Sequence, residues 1–186
     1  MNTLSYGLLS ILSQASFSGY DLMLRTQPFW PAKHSQIYPL LARLVKEEYV
    51  RFEHVAQSDK PDKKVYSLTD KGEQALREWL REPAGDPVTR DELMLKAYCL
   101  SYTDPEGATR LFAERLEYYR KKRSSLEDTA RRLRVQGDFP VDGTAPPFES
   151  KRFGTYILLE KALRTVRMNI EWTEWTLTLI ANSRER

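Results

Sequence analysis

Residues 33–50, KHSQIYPLLARLVKEEYV, place hydrogen-bonding side chains on one face of a predicted helix and apolar side chains on the other. The apolar positions recur at the i, i+3, i+4 and i+7 spacing of one helix side, and they are Ile37, Leu40, Leu41 and Leu44. The opposite side carries Ser35, Gln36, Pro39, Arg43 and Lys46, with Tyr38 at its edge. Any solvated amphipathic helix also shows a polar face, so this stretch alone leaves both interpretations open.

These side chains have the chemistry that a DNA duplex requires of a helix in its major groove. The Gln36 amide can pair with adenine, and the Arg43 guanidinium can bind a base or a phosphate. The hydroxyls of Ser35 and Tyr38 are of the kind that contact phosphate oxygens. The turn SDKPDKK adds positive charge through Lys60, Lys63 and Lys64. These lysines either neutralise phosphates or are simply solvated.

The surrounding sequence predicts the elements that would hold such a helix against DNA. Two short helices precede it, and the second begins at Ser18, a suitable capping residue. After Tyr49 the periodicity changes to the alternation of a strand, and a second strand returns at residues 65–68. Three short helices followed by a two-stranded hairpin, the wing, form a winged helix-turn-helix. We therefore predict a DNA-binding domain over residues 1–82.

The composition is that of a globular protein without a recognisable catalytic constellation. The chain has 186 residues and a net charge of only +3, so nucleic-acid contacts must come from local placement of cations. One cysteine, Cys99, and two histidines argue against a disulfide or a Cys/His metal site. We predict no enzymatic activity, no metal and no cofactor. The apolar N-terminal stretch lacks the basic residues of a signal peptide, and we expect a cytoplasmic protein without a membrane span.

The second half of the chain is predicted to be all-helical. The segment PAGDP, residues 83–87, forms the linker. Thr89 and Glu92 then have the spacing of a capping box. The dipeptide Asp-Pro at 104–105 is a helix start, and the helix runs to about Val135 before a segment rich in proline and glycine interrupts it.

The last predicted helix, residues 150–180, carries a heptad seam. Its members are Tyr156, Leu159, Leu163, Val166, Ile170, Thr173, Leu177 and Ile180. A seam of this length needs a partner helix, from this chain or from a second copy, and we predict it as the dimer interface. Trp172 and Trp175 lie away from the seam and give the helix a second apolar side.

Several motifs in order resemble the PadR-type winged-helix transcriptional regulators. They are SGYDL, a following tryptophan, QIYPLLARL, KKVYSLTDKG and a closing REWL. The resemblance is tight over the first 82 residues and looser through TRDELMLKAY, which is similar to the longer members of the family. One position departs from the family pattern, because Glu48 stands where a glycine usually ends the recognition helix. Glu48 therefore either accepts the strain of a left-handed residue or ends the helix in a different way.

The resemblance implies a homodimeric repressor, with residues 88–186 forming the dimer and Tyr66 contacting a phosphate. Two-fold symmetry then predicts a palindromic operator in double-stranded DNA. The resemblance also implies that a small aromatic or phenolic effector relieves repression, with Tyr98, Trp172 and Trp175 as candidate walls, although aromatic side chains at helical spacing are also ordinary packing residues. The alternative function is a winged-helix protein–protein interaction module without DNA readout.

Overall fold

The computed structural model of the chain describes residues 1–27, 30, 32–56, 62–87 and 91–183. The chain divides into two compact units, Met1–Pro87 and Val88–Arg186. The elements of the first unit are α1 (Thr3–Leu12), β1 (Phe17–Ser18), α2 (Gly19–Thr26), α3 (His34–Lys46), β2 (Val50–Val55), β3 (Lys63–Leu68) and α4 (Asp70–Trp79). This confirms the predicted fold class, a winged helix-turn-helix in a mainly helical protein.

The wing belongs to a small antiparallel sheet in which β3 is central. Its register pairs Val50 with Leu68 on the β2 side and Phe17 with Tyr66 on the β1 side. The sequence predicted only the two strands of the hairpin. Strand β1 was missed because two residues are too few to show an alternating pattern.

The core of the first unit lies between α1, α2, α3 and the sheet. Leu8, Leu22 and Ile37 are completely buried there, and each such side chain contributes about 1.5–3 kcal/mol relative to an exposed one. Helix α4 closes against α1 through stacked rings of Tyr6 and Trp79, whose centroids lie 4.7 Å apart. The core therefore fixes α3 from behind and leaves its outer face exposed.

The second unit contains α5 (Glu92–Tyr98), a short 3-10 helix (Leu100–Tyr102), α6 (Pro105–Val135) and α7 (Phe153–Asn182). Helix α6 begins and ends where predicted, and the Asp104 carboxylate accepts a 2.6 Å hydrogen bond from the Gly107 amide. Thr89 lies outside the described residues, and Asp91 caps α5 by accepting from the Leu93 amide.

The two long helices pack against each other along most of their lengths. Leu116 and Tyr119 of α6 form a buried cluster with Val166 and Ile170 of α7. An ion pair of 2.8 Å between Arg120 and Glu174 joins the same two helices at the surface. The second unit is therefore a helical hairpin. Within the described ranges, no helix is both long and apolar enough to cross a membrane.

Candidate nucleic-acid interface

Helix α3 is amphipathic, as its sequence predicts. Ile37 and Leu41 are fully buried and Leu44 nearly so, while Leu40, the fourth member of the predicted inner stripe, is half-buried and packs against the same core. The predicted outer side chains Ser35, Gln36, Pro39 and Arg43 are exposed, and Tyr38 is half-buried at the edge. The structure thus presents one continuous polar face of α3.

The first of these side chains, Gln36, also caps the helix that carries it. Its Oε1 accepts a 2.9 Å hydrogen bond from the Lys33 amide, which satisfies one of the donors left free at a helix N-terminus. The Nε2 group remains a donor toward solvent. To pair with adenine through both Oε1 and Nε2, Gln36 must therefore accept a second hydrogen bond at Oε1 or lose the one from the Lys33 amide.

Arg43 near the other end of α3 is held by Glu47. Its Nε donates to Glu47 Oε1 over 2.7 Å, and both side chains reach the surface. This hydrogen bond lowers the pKa of the Glu47 carboxyl below its ordinary value. This bond uses only the Nε–H of Arg43 and not the N–H groups of its two Nη atoms. Sequence reasoning missed Glu47, although its i,i+4 spacing from Arg43 was visible.

Helix α3 ends in a left-handed turn at Glu48, whose φ is 62°. The Glu48 amide donates to the Val45 carbonyl and the Tyr49 amide to the Leu44 carbonyl, which together form a Schellman motif. Glu48 therefore adopts the strained left-handed conformation for which the family pattern favours glycine, and the helix does not end in a different way.

Helix α4 holds this turn from outside. Lys71 Nζ donates to the Glu47 carbonyl over 2.8 Å, and Thr69 Oγ1 donates to the Glu48 carbonyl over 2.7 Å. A Cβ on Gly72 would overlap the carbonyl oxygen of Tyr49, so only glycine lets α4 approach so closely. These contacts satisfy carbonyls at the end of α3 and fix the position from which Glu47 reaches Arg43.

A groove of about 940 Å³ lies between α2, α3 and the wing. Tyr38, Lys63, Lys64 and Tyr66 are among its lining residues, so the structure brings these four predicted residues together. Lys60 lies outside the described residues. The remaining predicted contacts, Ser35, Gln36, Pro39 and Arg43, occupy the exposed face of α3.

Tyr66 lies at the base of this groove and is only 6% exposed. Burial raises the pKa of its phenol, and the neighbouring Tyr38 adds to the increase, so the group is a neutral hydroxyl at physiological pH. On the rim, Lys64 Nζ lies 4.3 Å from the centroid of the Phe52 ring, while Lys63 is exposed. The lining also includes the carboxylates of Asp21 and Asp62, so the ammonium groups of the two lysines, and not the groove as a whole, are suited to phosphate oxygens.

Part of the predicted dimer seam is already buried within the single chain. Four seam residues are buried in the single chain and leave almost no surface for a second copy: Leu163, Val166, Ile170 and Thr173. For these four, the partner helix comes from this chain, which is the first of the two alternatives. The other seam residues, Tyr156, Leu159, Leu177 and Ile180, are half-buried. Periodicity identified the packing stripe of α7 and not what packs on it.

Another face of α7 carries exposed apolar side chains. They are Ile157, Leu158, Met168, Trp175 and Leu179, each between 48% and 58% exposed. Of the three predicted effector residues, Trp172 packs edge-on against Phe112 with ring centroids 5.6 Å apart. Trp175 is one of the exposed side chains of α7, and Tyr98 on α5 is 91% exposed.

The basic run of α6 is largely engaged in ion pairs along the helix surface. Arg120 pairs with α7, as described above, and Lys121 pairs with Glu117 over 2.9 Å. Lys122 lies over the Tyr118 ring. These contacts are those of a solvated helix face. Among the described residues, no group of three or more His, Cys, Asp or Glu side chains could hold a metal ion.

A polar recognition helix, a helix packed behind it and a basic wing beside it define a winged-helix DNA-binding transcriptional regulator. Two family models match the chain: "Transcriptional regulator PadR-like family" over residues 8–78 and "Virulence activator alpha C-term" over residues 89–181. The chain is also 37% identical to the negative transcriptional regulator PadR of Bacillus subtilis, over 97% of this chain and 98% of that protein. It therefore belongs to the PadR-like family of transcriptional regulators, and it is not an enzyme.

Other similar proteins agree with this family membership. A probable transcriptional regulator of Mycobacterium tuberculosis is 31% identical over 90% of this chain and 91% of that protein. The crystal structure of Bacillus subtilis PadR in complex with operator DNA is similar with a TM-score of 0.80 at 35% identity, covering 96% of this chain and 99% of that one. The same protein in complex with p-coumaric acid gives a TM-score of 0.74 at 34% identity, covering 97% and 99%.

Proposed function

We propose that the chain is a homodimeric repressor that binds a palindromic operator through α3 and the wing. The observation that carries this proposal is the polar outer face of α3 beside a groove whose lining includes Tyr38, Tyr66 and the wing lysines. Base edges are read from α3, and the groove holds the phosphate backbone. The operator complex of the Bacillus subtilis relative supports this assignment.

The proposal is tested by recovering DNA fragments that the protein retains from its own genome and measuring their affinity against salt. We expect Arg43→Ala to abolish preference for the recovered fragments. A matched control is Arg77→Ala on α4, because Arg77 forms the same kind of i,i+4 ion pair with Glu73 over 2.6 Å. Absence of any DNA retardation at low salt would instead support the protein-interaction module.

Gln36 needs a variant that separates DNA contact from helix capping. Gln36→Glu keeps an oxygen acceptor for the Lys33 amide, but it removes the Nε2 donor and places a negative charge near phosphates. We expect this variant to fold normally and to lose operator binding. Unchanged operator affinity would remove Gln36 from the interface.

We further propose that the second unit forms the dimer through the exposed apolar side of α7, with the buried seam as its internal support. Met168→Lys combined with Trp175→Lys places two charges on that side and is expected to give monomers by light scattering, whereas Arg43→Ala stays dimeric. A wild-type protein that is monomeric at micromolar concentration would contradict the dimer.

We propose that an aromatic or phenolic compound relieves repression, with Tyr98, Trp172 and Trp175 as candidate contacts. The p-coumaric acid complex of the Bacillus subtilis relative supports the chemical class. Binding of a phenolic acid should change tryptophan fluorescence, raise the melting temperature and release the DNA. If a broad phenolic panel changes none of these, this class of effector is excluded.

A further inference from the structure

Glu47 is an acidic side chain on the surface that the proposed function assigns to DNA. Its carboxylate lies against the Nε edge of Arg43, and its side chain is 35% exposed. A carboxylate next to phosphates weakens binding, since DNA attracts proteins chiefly through its negative backbone. On its own, the Glu47 carboxylate would therefore weaken DNA binding, so we ask what other role this side chain has.

The geometry of the pair provides that role. One of the five guanidinium N–H donors of Arg43 is used by Glu47, and the Nη1/Nη2 edge that makes two parallel hydrogen bonds stays available. A phosphate reaching that edge would come close to the Glu47 carboxylate and be repelled by it. The major-groove edge of guanine carries no net charge and presents the acceptors N7 and O6, so it escapes this repulsion.

The position of Glu47 is fixed independently of DNA. Its amide donates to the Arg43 carbonyl over 2.9 Å, and its own carbonyl accepts from Lys71. The strained turn at Glu48 follows directly. Arg43 is thereby tethered to a defined point at the end of α3, and the pair as a whole carries no net charge.

We infer that Glu47 is a positioning residue that holds Arg43 for base readout and suppresses its use as a phosphate contact. This inference rests on the proposed function and concerns the same site. Glu47 accordingly lowers affinity for DNA in general and raises the ratio of operator to non-operator affinity, which is the quantity that selects one site in a genome.

The test uses the full-length protein, a fragment recovered from its genome and an unrelated fragment of equal length. Glu47→Gln removes the charge and keeps an oxygen that can accept from Arg43. If each arginine, no longer facing a carboxylate, gains one phosphate, the log–log salt slope for unrelated DNA steepens by about 1.8 per dimer. With equal affinities at ~1 M salt, the variant then binds about sixtyfold more tightly at ~0.1 M salt. We expect the ratio of operator to non-operator affinity to fall about fivefold or more.

Two controls separate positioning from a general effect on folding or charge. Glu73→Gln breaks the equivalent ion pair on α4 and should change neither the slope nor the ratio. In an Arg43→Ala background, Glu47→Gln should alter both affinities equally, because no guanidinium remains to be positioned. A change of the ratio in that background would overturn the inference.

The remaining outcomes distinguish this inference from the proposed function. If the wild type prefers the recovered fragment and Glu47→Gln preserves that preference, the role of Glu47 is refuted while the repressor stands. If the wild type binds no DNA at low salt, both are refuted.

Discussion

Replacing Glu48 by glycine is expected to stabilise the first unit. A non-glycine residue in the left-handed region, as Glu48 is at a φ of 62°, costs about 1–2 kcal/mol. Glycine avoids this cost but loses about 0.5–1 kcal/mol more than other residues in backbone entropy on folding. Because the Glu48 side chain is exposed, little contact is lost. The net gain in the free energy of unfolding is about 0.5–1 kcal/mol.

The gain is measurable by urea and thermal denaturation followed by circular dichroism and tryptophan fluorescence. Trp79, stacked on Tyr6, reports on the unit that contains the turn. For a chain of this length, 1 kcal/mol corresponds to about 2–4 °C in melting temperature. The control is Glu48→Ala, which removes the charge and keeps the strained backbone. An equal gain in both variants, or none in Glu48→Gly, would refute backbone strain as the cause.

Three further substitutions probe the scaffold and the groove. Gly72→Ala should destabilise the first unit by about 1–3 kcal/mol in urea melts, since its Cβ overlaps the Tyr49 carbonyl; a neutral result would show that α4 can shift. Phe112→Ala should cost the second unit about 3–5 kcal/mol, because this ring is completely buried beside Trp172, and a loss below 1 kcal/mol would contradict that packing. Tyr66→Phe should leave the melting temperature unchanged and weaken operator binding by about 1 kcal/mol in titrations; unchanged affinity would remove this hydroxyl from the interface.

The sequence predicted elements whose signals are local. The inner face of α3 and the limits of α6 followed from helical spacing and from the Asp104 cap, and the structure confirms both. Strand β1 was missed because its two residues become a strand only by pairing with β3, far along the chain. The family pattern singled out Glu48 but left open whether it takes the left-handed conformation; it does so because hydrogen bonds from Thr69 and the Schellman motif outweigh the residue's own preference.

Heptad spacing could not decide which helix fills the seam of α7. The pattern requires only an apolar partner at helical distance, and α6 supplies one in the same chain through Leu116 and Tyr119. Because α6 and α7 are joined by a connecting segment, each is present at a high effective concentration for the other. The intramolecular partner therefore occupies the deepest stripe, and the proposed dimer contact is assigned to the exposed side.

Both readout side chains of α3 serve the helix as well as the proposed DNA contact. Gln36 accepts from the Lys33 amide at the start of the helix, and Arg43 donates to Glu47 at its end. While these bonds persist, Gln36 offers chiefly its Nε2 donors and Arg43 its Nη donors. In the proposed complex, this surface of hydrogen-bond donors is complementary to the N7 and O6 acceptors of guanine. It is not complementary to the amino group of cytosine, which is itself a donor. Because the intrahelical bonds already restrict these rotamers, less side-chain entropy is lost when the DNA binds.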